Sequence, residues 1–274
     1  MRQLDMRVSF ATDPSPGREN EDFVAASPNV VVLLDGAGIP ETLDTGCVHG
    51  VPWFVRRLGT DLHTRAAEQR ASLTECLADA IHHVTQLHSS VCDLNNPMTP
   101  SATVVLARAR EASFEWLVLG DSTILINDAA GLRAISDHRV SEVTKRQREA
   151  MAAELQGMRS ADRRRTLAHA QRSVMNTAHG YWVAATDPKA ADESLAGSAP
   201  VAEVRAAALL TDGAARPVDD FRSMTWPEAL AHLETEGPRG LIDRTRAMER
   251  TDPDAKRWPR SKRHDDATAA LLQL

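Results

Sequence analysis

Five places in this sequence set acidic side chains where the chain leaves or enters an apolar run. Gly17–Asp22 (GRENED) gathers an arginine with three acids. Val30–Gly38 (VVVLLDGAG) carries five apolar residues straight into Asp35-Gly36. LVLGDS ends on Gly120-Asp121-Ser122, ALLTDGA on Thr211-Asp212-Gly213, and HDDATAALL enters its apolar run after Asp265-Asp266. A carboxylate at the end of a dehydrated run needs a cation or a hydrogen-bonding turn as partner. One Asp-Gly at a strand end is ordinarily just a turn. Several such acids converging on one rim suit a hard divalent cation such as Mg2+ or Mn2+, which prefers carboxylate, carbonyl and water oxygens. No cysteine or histidine spacing offers a zinc site instead. Cys47, Cys76 and Cys92, odd in number and without a CxxC pair, read as reduced, mostly packing thiols.

Short elements must position these acids. Apolar runs bounded by turn residues predict strands at Met6–Thr12, Asp22–Ala26, Val30–Leu34, Thr103–Ala109, Phe114–Leu119, Ile124–Asn127 and Leu132–Ile135. Further strands are expected at Tyr181–Ala185, Val204–Thr211 and Ala267–Leu272. Leu73, Cys76, Leu77, Ala80, Ile81, Val84 and Leu87 recur at helical spacing, and a second helix is expected from Pro52 to about Gln69. Two more begin near Trp226–Leu233 and Leu241–Glu249. From Ser141 to about Asn176 the chain is polar, charged and poor in β-branched residues, so it reads as exposed helix broken near Gly157 and inserted between sheets. Strands in runs without regular βα alternation predict an α+β fold of two mainly antiparallel sheets packed together and covered by helices.

In this order and spacing, GRENED, LLDGAG, ATVVL, LGDS, LLTDGA and DDAT resemble the metal-dependent serine/threonine protein phosphatases, the type 2C or PPM family. The resemblance covers roughly the first 138 residues and the last 75; the stretch from Ser141 to Pro200 matches only loosely, where that family places its variable flap. It implies a four-layer αββα sandwich over residues 1–274, a single domain with the helical flap at about 141–180. It also implies two core Mn2+ or Mg2+ ions and a third, looser one. Residue by residue, Arg18 falls on the family's phosphate-binding arginine, and Glu21 and Asp22 on the acidic pair that supports the metal water shell. Asp35 falls on the aspartate bridging both metals, Gly36 on the glycine that offers its carbonyl, Asp212 and Asp265 on the later metal aspartates, and Asp121 on the aspartate of the third ion.

The activity implied is hydrolysis of phosphoserine or phosphothreonine in a protein by a hydroxide bridging two cations. Two cations about 4 Å apart lower the pKa of a shared water, and a guanidinium plus the cations neutralises the phosphoryl oxygens. The sequence departs from the family at Ala37, where many eukaryotic members carry a histidine proposed as general acid. It departs again at Ser101-Ala102-Thr103 and at Asp265-Asp266, and the Gly-Asp after the flap is at best echoed by Thr186-Asp187. These departures leave an alternative, a catalytically weak phosphatase-like module that binds phosphate or regulates. A haloacid dehalogenase-like reading fails, because its second aspartate would stand at Ala37 and its βα alternation is missing.

The chain has 274 residues, 42% of them apolar, enough for a continuous core, and a formal net charge of −6. That charge gives no general attraction to nucleic acid or to an anionic membrane. MRQLDMRVSF lacks the apolar core of a signal peptide and no run approaches the ~20 residues of a bilayer span, so a cytoplasmic location is expected. KRWPRSKRHDD, with Lys256, Arg257, Arg260, Lys262, Arg263 and His264, reads either as solvated surface or as a basic lip for an anionic phosphopeptide. Arg163–Arg165 reads as solvated helix, and His82, His83 and His88 as ordinary exposed residues on the polar side of their helix.

Overall fold

The computed structural model describes residues 6–39, 43–260 and 262–274. Its strands are β1 (Arg7–Asp13), β2 (Asp22–Ser27), β3 (Val30–Gly36), β4 (Ala102–Ala109), β5 (Ser113–Leu119), β6 (Thr123–Asp128), β7 (Gly131–Ile135), β8 (Leu195–Pro200), β9 (Ala206–Leu210) and β10 (Ala267–Gln273). Its helices are α1 (Gly50–Ala67), α2 (Leu73–His88), α3 (Arg139–Ala150), α4 (Ala152–Leu155), α5 (Ser160–Arg172), α6 (Asp212–Asp219) and α7 (Trp226–Thr251). The strands form two five-stranded sheets, β1-β10-β9-β6-β7 and β2-β3-β4-β5-β8, with every neighbouring pair antiparallel.

The apolar run of β3 follows from its place in this stack. Val30, Val32 and Leu34 face α1 and α2, whereas Val31 and Leu33 face the other sheet. Successive side chains of a strand point to opposite faces, so a strand covered on both sides is apolar throughout. On the far side Leu125, Ala208, Leu210, Ala269 and Leu271 pack under α6 and α7. The four-layer αββα sandwich is therefore built from three apolar seams.

Most expected elements form within a residue or two of their predicted bounds, and the insert is helical as α3 to α5. Tyr181–Ala185 is not a strand: it makes two isolated bridges, Met175 with Tyr181 and Ala102 with Ala184, because Asn176 takes the Val183 N–H through its side chain. The partner of β5 is instead β8, LAGSAP, whose small residues give little strand signal; a Cβ on Gly197 would collide with Trp116. α6 starts directly at Asp212 where a turn was expected. α7 breaks at Gly237 (φ 74°, ψ 175°), between the two helices read from sequence.

His82 is exposed and His83 sits 3.0 Å from Asp61, but His88 is buried (1% exposed), contrary to its reading as a surface residue. Its position in the last turn of α2 turns it toward Trp53 (5.1 Å) and Cys47. Cys76 packs in the α1/α2 core as expected. Cys47 and Cys92 do not simply pack: they meet His49 and His88 in space, an arrangement that sequence spacing could not reveal and that corrects the expectation of no zinc-type cluster.

Arg108 ties the helical layer to the sheet. Fully buried on β4, it pairs with Glu115 (2.7 Å) and donates to the carbonyls of Ala66 and Ala71 at the α1–α2 turn. Removing it leaves an acid and two carbonyls without their cation, so Arg108→Ala is expected to lower unfolding free energy by about 3 kcal/mol. Urea denaturation measures this, and adding Glu115→Ala should recover part of the loss; a single-variant loss below about 1 kcal/mol would contradict it.

Candidate active site

The acids converge at one end of the sandwich, on the seam between the sheets. Asp22 opens β2 directly opposite Asp35 of β3, and Thr103 of β4 lies opposite Asp35 on its other side. From the second sheet, Asp212 begins α6 just after β9, and Asp265-Asp266 lead into β10. Asp22 joins the two sheets: its Oδ2 accepts from Thr268 Oγ1 (2.7 Å) and Thr211 Oγ1 (3.1 Å), and Thr211 Oγ1 accepts the Thr268 N–H (2.9 Å). The other oxygen, Asp22 Oδ1, is buried with no hydrogen-bond partner among the described residues.

Asp266 shapes the loop between β1 and β2. Its two oxygens accept the N–H groups of Ser15 and Glu21, each at 2.6 Å, which sets the course of the segment carrying Arg18. Gly36 N–H donates to the Glu21 carbonyl (3.0 Å) and Ala37 N–H to that of Ser101 (2.9 Å). A Cβ on Gly36 would come 2.5 Å from the Glu21 oxygen, so glycine is required by the close approach of the backbones. Asp265 is held from both sides, by Lys262 Nζ (2.7 Å) and Arg216 Nη2 (3.2 Å). Arg216 continues to the fully buried Glu249, which also takes Arg246 (2.9 Å) and His264 Nδ1 (2.7 Å), and Arg246 reaches Asp13 (2.8 Å).

Electrostatics follow from this crowding. Burial above all, then repulsion from Asp212, Asp22 and Asp265, pushes the Asp35 carboxyl well above the usual range, with Lys262 opposing. Burial likewise raises Asp22; the Thr268 hydroxyl favours its anion, and Asp266, Asp212 and Asp265 push the other way. Asp265 is raised by burial and by Asp212, against its two cations. Asp121, on the turn after β5, is raised to about 7 by burial and by Asp212. Burial and nearby acids raise Glu21 against Lys262 and Arg18. Lys262, despite its own burial cost, is held charged by Asp265, Asp212 and Asp35. An adjoining cleft of about 350 Å³ is lined by Arg18, Glu21, Lys262, His264, Asp265 and Asp266 among others.

Thus Arg18, Glu21, Asp22, Asp35, Gly36, Asp121, Asp212 and Asp265 come together from five separate stretches of chain. The basic tail divides: Lys256, Arg257 and Arg263 are solvated, the Arg260 side chain is buried on Asp252 (2.9 Å), and Lys262 and His264 line the cleft, with Lys262 paired to Asp265. Asp187 stands apart, exposed and capping a short 3-10 turn through the Lys189 N–H (3.0 Å). Arg163–Arg165 is exposed as expected.

Sequence reasoning missed Arg172. At the end of the polar insert its buried guanidinium donates to Ser101 Oγ (2.8 Å) and to the carbonyls of Thr99 (3.2 Å) and Ala37 (3.3 Å), tying α5 to the turn after Asp35. Its only sequence signal is an arginine close to the start of an apolar segment. Thr211 and Thr268 were also missed, because a threonine in a strand looks like ordinary β-former chemistry.

A family profile described as Protein phosphatase 2C matches residues 16–245. By sequence, no curated protein gives a significant match. Among solved structures, the serine/threonine phosphatase PstP/Ppp of Mycobacterium tuberculosis is similar at 14% identity and TM-score 0.58, over 99% of this chain and 99% of that one. The serine/threonine phosphatase Stp1 of Staphylococcus aureus is similar at 15% identity and TM-score 0.55, over 100% of this chain and 98% of that one. A third, the PstP catalytic domain in complex with two manganese ions, has 14% identity and TM-score 0.55, over 98% and 97% of the two chains. With the profile spanning most of its length, the chain belongs to the protein phosphatase 2C family.

Proposed function

We propose that this chain is a phosphomonoester hydrolase acting on phosphoserine or phosphothreonine in proteins, with Mn2+ or Mg2+ held by the acid cluster. The observation that carries this reading is the convergence of mutually repelling carboxylates on one seam with Asp22 Oδ1 buried and unpartnered. Such a group favours a cation, and a donor set of carboxylates and carbonyls without thiolate or imidazole fits a hard divalent ion. PstP, of the same fold, binds two manganese ions.

In this reading Asp35, Asp212 and Asp265 would hold two core ions, the Gly36 carbonyl and the Glu21–Asp22 pair would support them, and Asp121 would take a third. When bound, the ions supply a water of lowered pKa as nucleophile and neutralise charge on the phosphoryl group. Arg18 clamps the phosphate from the cleft wall through its planar fork. Lys262, 43% exposed at its side chain, leaves Asp265 and turns to the phosphate. With Ala37 beside Gly36 the chain offers no imidazole there, and the leaving alkoxide takes its proton from solvent in the cleft. The helical insert, fixed by Arg172, serves as the flap of one phosphatase domain. Among the described residues no helix is long and apolar enough to cross a membrane, and a cytoplasmic phosphoprotein is the substrate we assign.

One observation favours a second reading. Lys262 already sits among the acids, as an internal cation. A chain that kept it there would be a phosphate-binding or regulatory module.

Hydrolysis of p-nitrophenyl phosphate should require Mn2+, stop with chelator, and fall at least about a thousandfold in Asp35→Ala and Asp212→Ala. Metal-independent turnover, or full activity in both variants, would overturn the mechanism. Lys262→Ala separates the two readings. For a hydrolase it lowers the Mn2+ concentration needed for half-maximal rate and raises KM several-fold; for a module it abolishes phosphopeptide binding that never depended on Mn2+.

Stability should depend on pH in a way set by the acids. The folded-state values of Glu21, Asp22, Asp35, Asp121 and Asp265 lie above their unfolded ones, so the metal-free fold binds more protons than the unfolded chain, and stability falls as pH rises through that interval. For Asp121 the interval runs from 3.8 to about 7. With chelator present, Tm is therefore expected to be higher at about pH 5.5 than at about pH 8, and Mn2+ should remove the difference. A metal-free Tm that rises with pH over this range would contradict the account.

A further inference from the structure

A second cluster lies on the α1/α2 side of the sandwich, built from two loops and two helix ends. Cys47 and His49 precede α1, His49 being its N-terminal cap residue, while His88 closes α2 and Cys92 follows in the next loop. Cys47 Sγ lies 3.5 Å from Cys92 Sγ, 3.8 Å from His49 Nδ1 and 3.7 Å from His88 Nδ1, and Cys92 Sγ lies 3.4 Å from His49 Nδ1. One ligand atom from each of the four falls within 4.8 Å of the others.

These spacings are the edges of a small tetrahedron. With Zn–S near 2.3 Å and Zn–N near 2.0–2.1 Å, a tetrahedral ion requires S···S of about 3.8 Å and S···N of about 3.6 Å. A disulfide would need the sulfurs at about 2.05 Å, and they are free. The His88 ring is buried with its Nδ1 toward Cys47 Sγ, and its other nitrogen, Nε2, has no hydrogen-bond partner among the described residues. A buried imidazole set against a thiol lacks the strong polar neighbours that such a ring needs.

The surroundings are braced for the arrangement. Asp93 N–H donates to the Gly46 carbonyl (2.8 Å), Asn96 Nδ2 to that of Asp44 (3.2 Å), and Cys92 N–H to that of His88 (3.0 Å), so the two loops are zipped together beside the thiols. Gly46 has φ +66°, and a Cβ there would come 2.8 Å from that of Asn96. Trp53 stacks on His49 at 4.2 Å and lies 5.1 Å from His88, forming an apolar wall on one side.

We propose that Cys47, His49, His88 and Cys92 bind one structural Zn2+ that pins the segment leading from Asp35 to α1 onto the end of α2. Two thiolates and two neutral imidazoles compensate the ion's charge, and binding releases the two thiol protons to solvent. Tetrahedral S2N2 ligation selects zinc over the hard cations suited to the acid cluster. The four ligands leave no position for substrate, so the role is structural.

The test uses the full chain, purified reduced. Metal analysis after dialysis should give one zinc per chain. Substitution with Co2+ should produce an intense thiolate-to-cobalt charge-transfer band and tetrahedral d–d absorption, unchanged in Asp35→Ala because carboxylates do not give that band. Cys92→Ser, at a half-exposed position that tolerates the change, should weaken zinc binding at least about a hundredfold in chelator competition. In buffer free of Mn2+ and Mg2+, chelation should lower Tm in the parent protein and leave it unmoved in Cys92→Ser. Absence of the charge-transfer band from the folded, reduced chain would overturn the proposal, as would a Cys47–Cys92 disulfide forming quantitatively in zinc-containing buffer.

Discussion

One carboxylate at the junction of two sheets organises the functional end of this protein. Asp22 belongs to one sheet, yet its Oδ2 is held by hydroxyls of Thr211 and Thr268 on the other. Burying an acid there is costly unless its charge is met or its proton retained. The hydroxyls meet part of the cost and leave Oδ1 buried without a hydrogen-bond partner among the described residues. Because β2 pairs with β3 in fixed register, seating Asp22 also seats Asp35, and through Thr211 and Thr268 it fixes the strand ends that carry Asp212 and Asp265.

A second layer of charge keeps the rest from flying apart. Arg216, Glu249, Arg246 and Asp13 form a chain of buried or half-buried ion pairs running from Asp265 back to β1. Such pairs add little stability against a well-packed apolar alternative. Their effect is geometric: they give Asp265 a fixed bearing while its neighbours repel it. Asp266 does the same for the Arg18 loop through two backbone N–H groups.

Much of this was legible in the sequence, for identifiable reasons. Strands covered on both faces, such as VVVLL, announce themselves by unbroken apolarity, and strand-end acids stand out against them. LAGSAP carried no such signal, since an edge strand held by backbone pairing under Trp116 needs small residues rather than apolar ones. The acidic motifs could be placed because each lies next to a strong element boundary. Arg172, Lys262 and Arg260 could not, because a charged side chain in a polar stretch looks solvated until its partners, which come from distant segments, are known. The Cys47–His49–His88–Cys92 cluster was hidden for the same reason: its halves lie about forty residues apart and meet only in the folded chain, through the packing of α1 on α2 and the hydrogen bonds between their loops.

The central claim is that the acid seam is built for divalent cations rather than neutralised by Lys262. Crystals grown in Mn2+ and measured at the manganese absorption edge test it most directly. The account predicts two strong anomalous peaks about 4 Å apart flanking Asp35, with Lys262 Nζ displaced from Asp265. An empty seam at saturating Mn2+, with Lys262 still on Asp265, would contradict it.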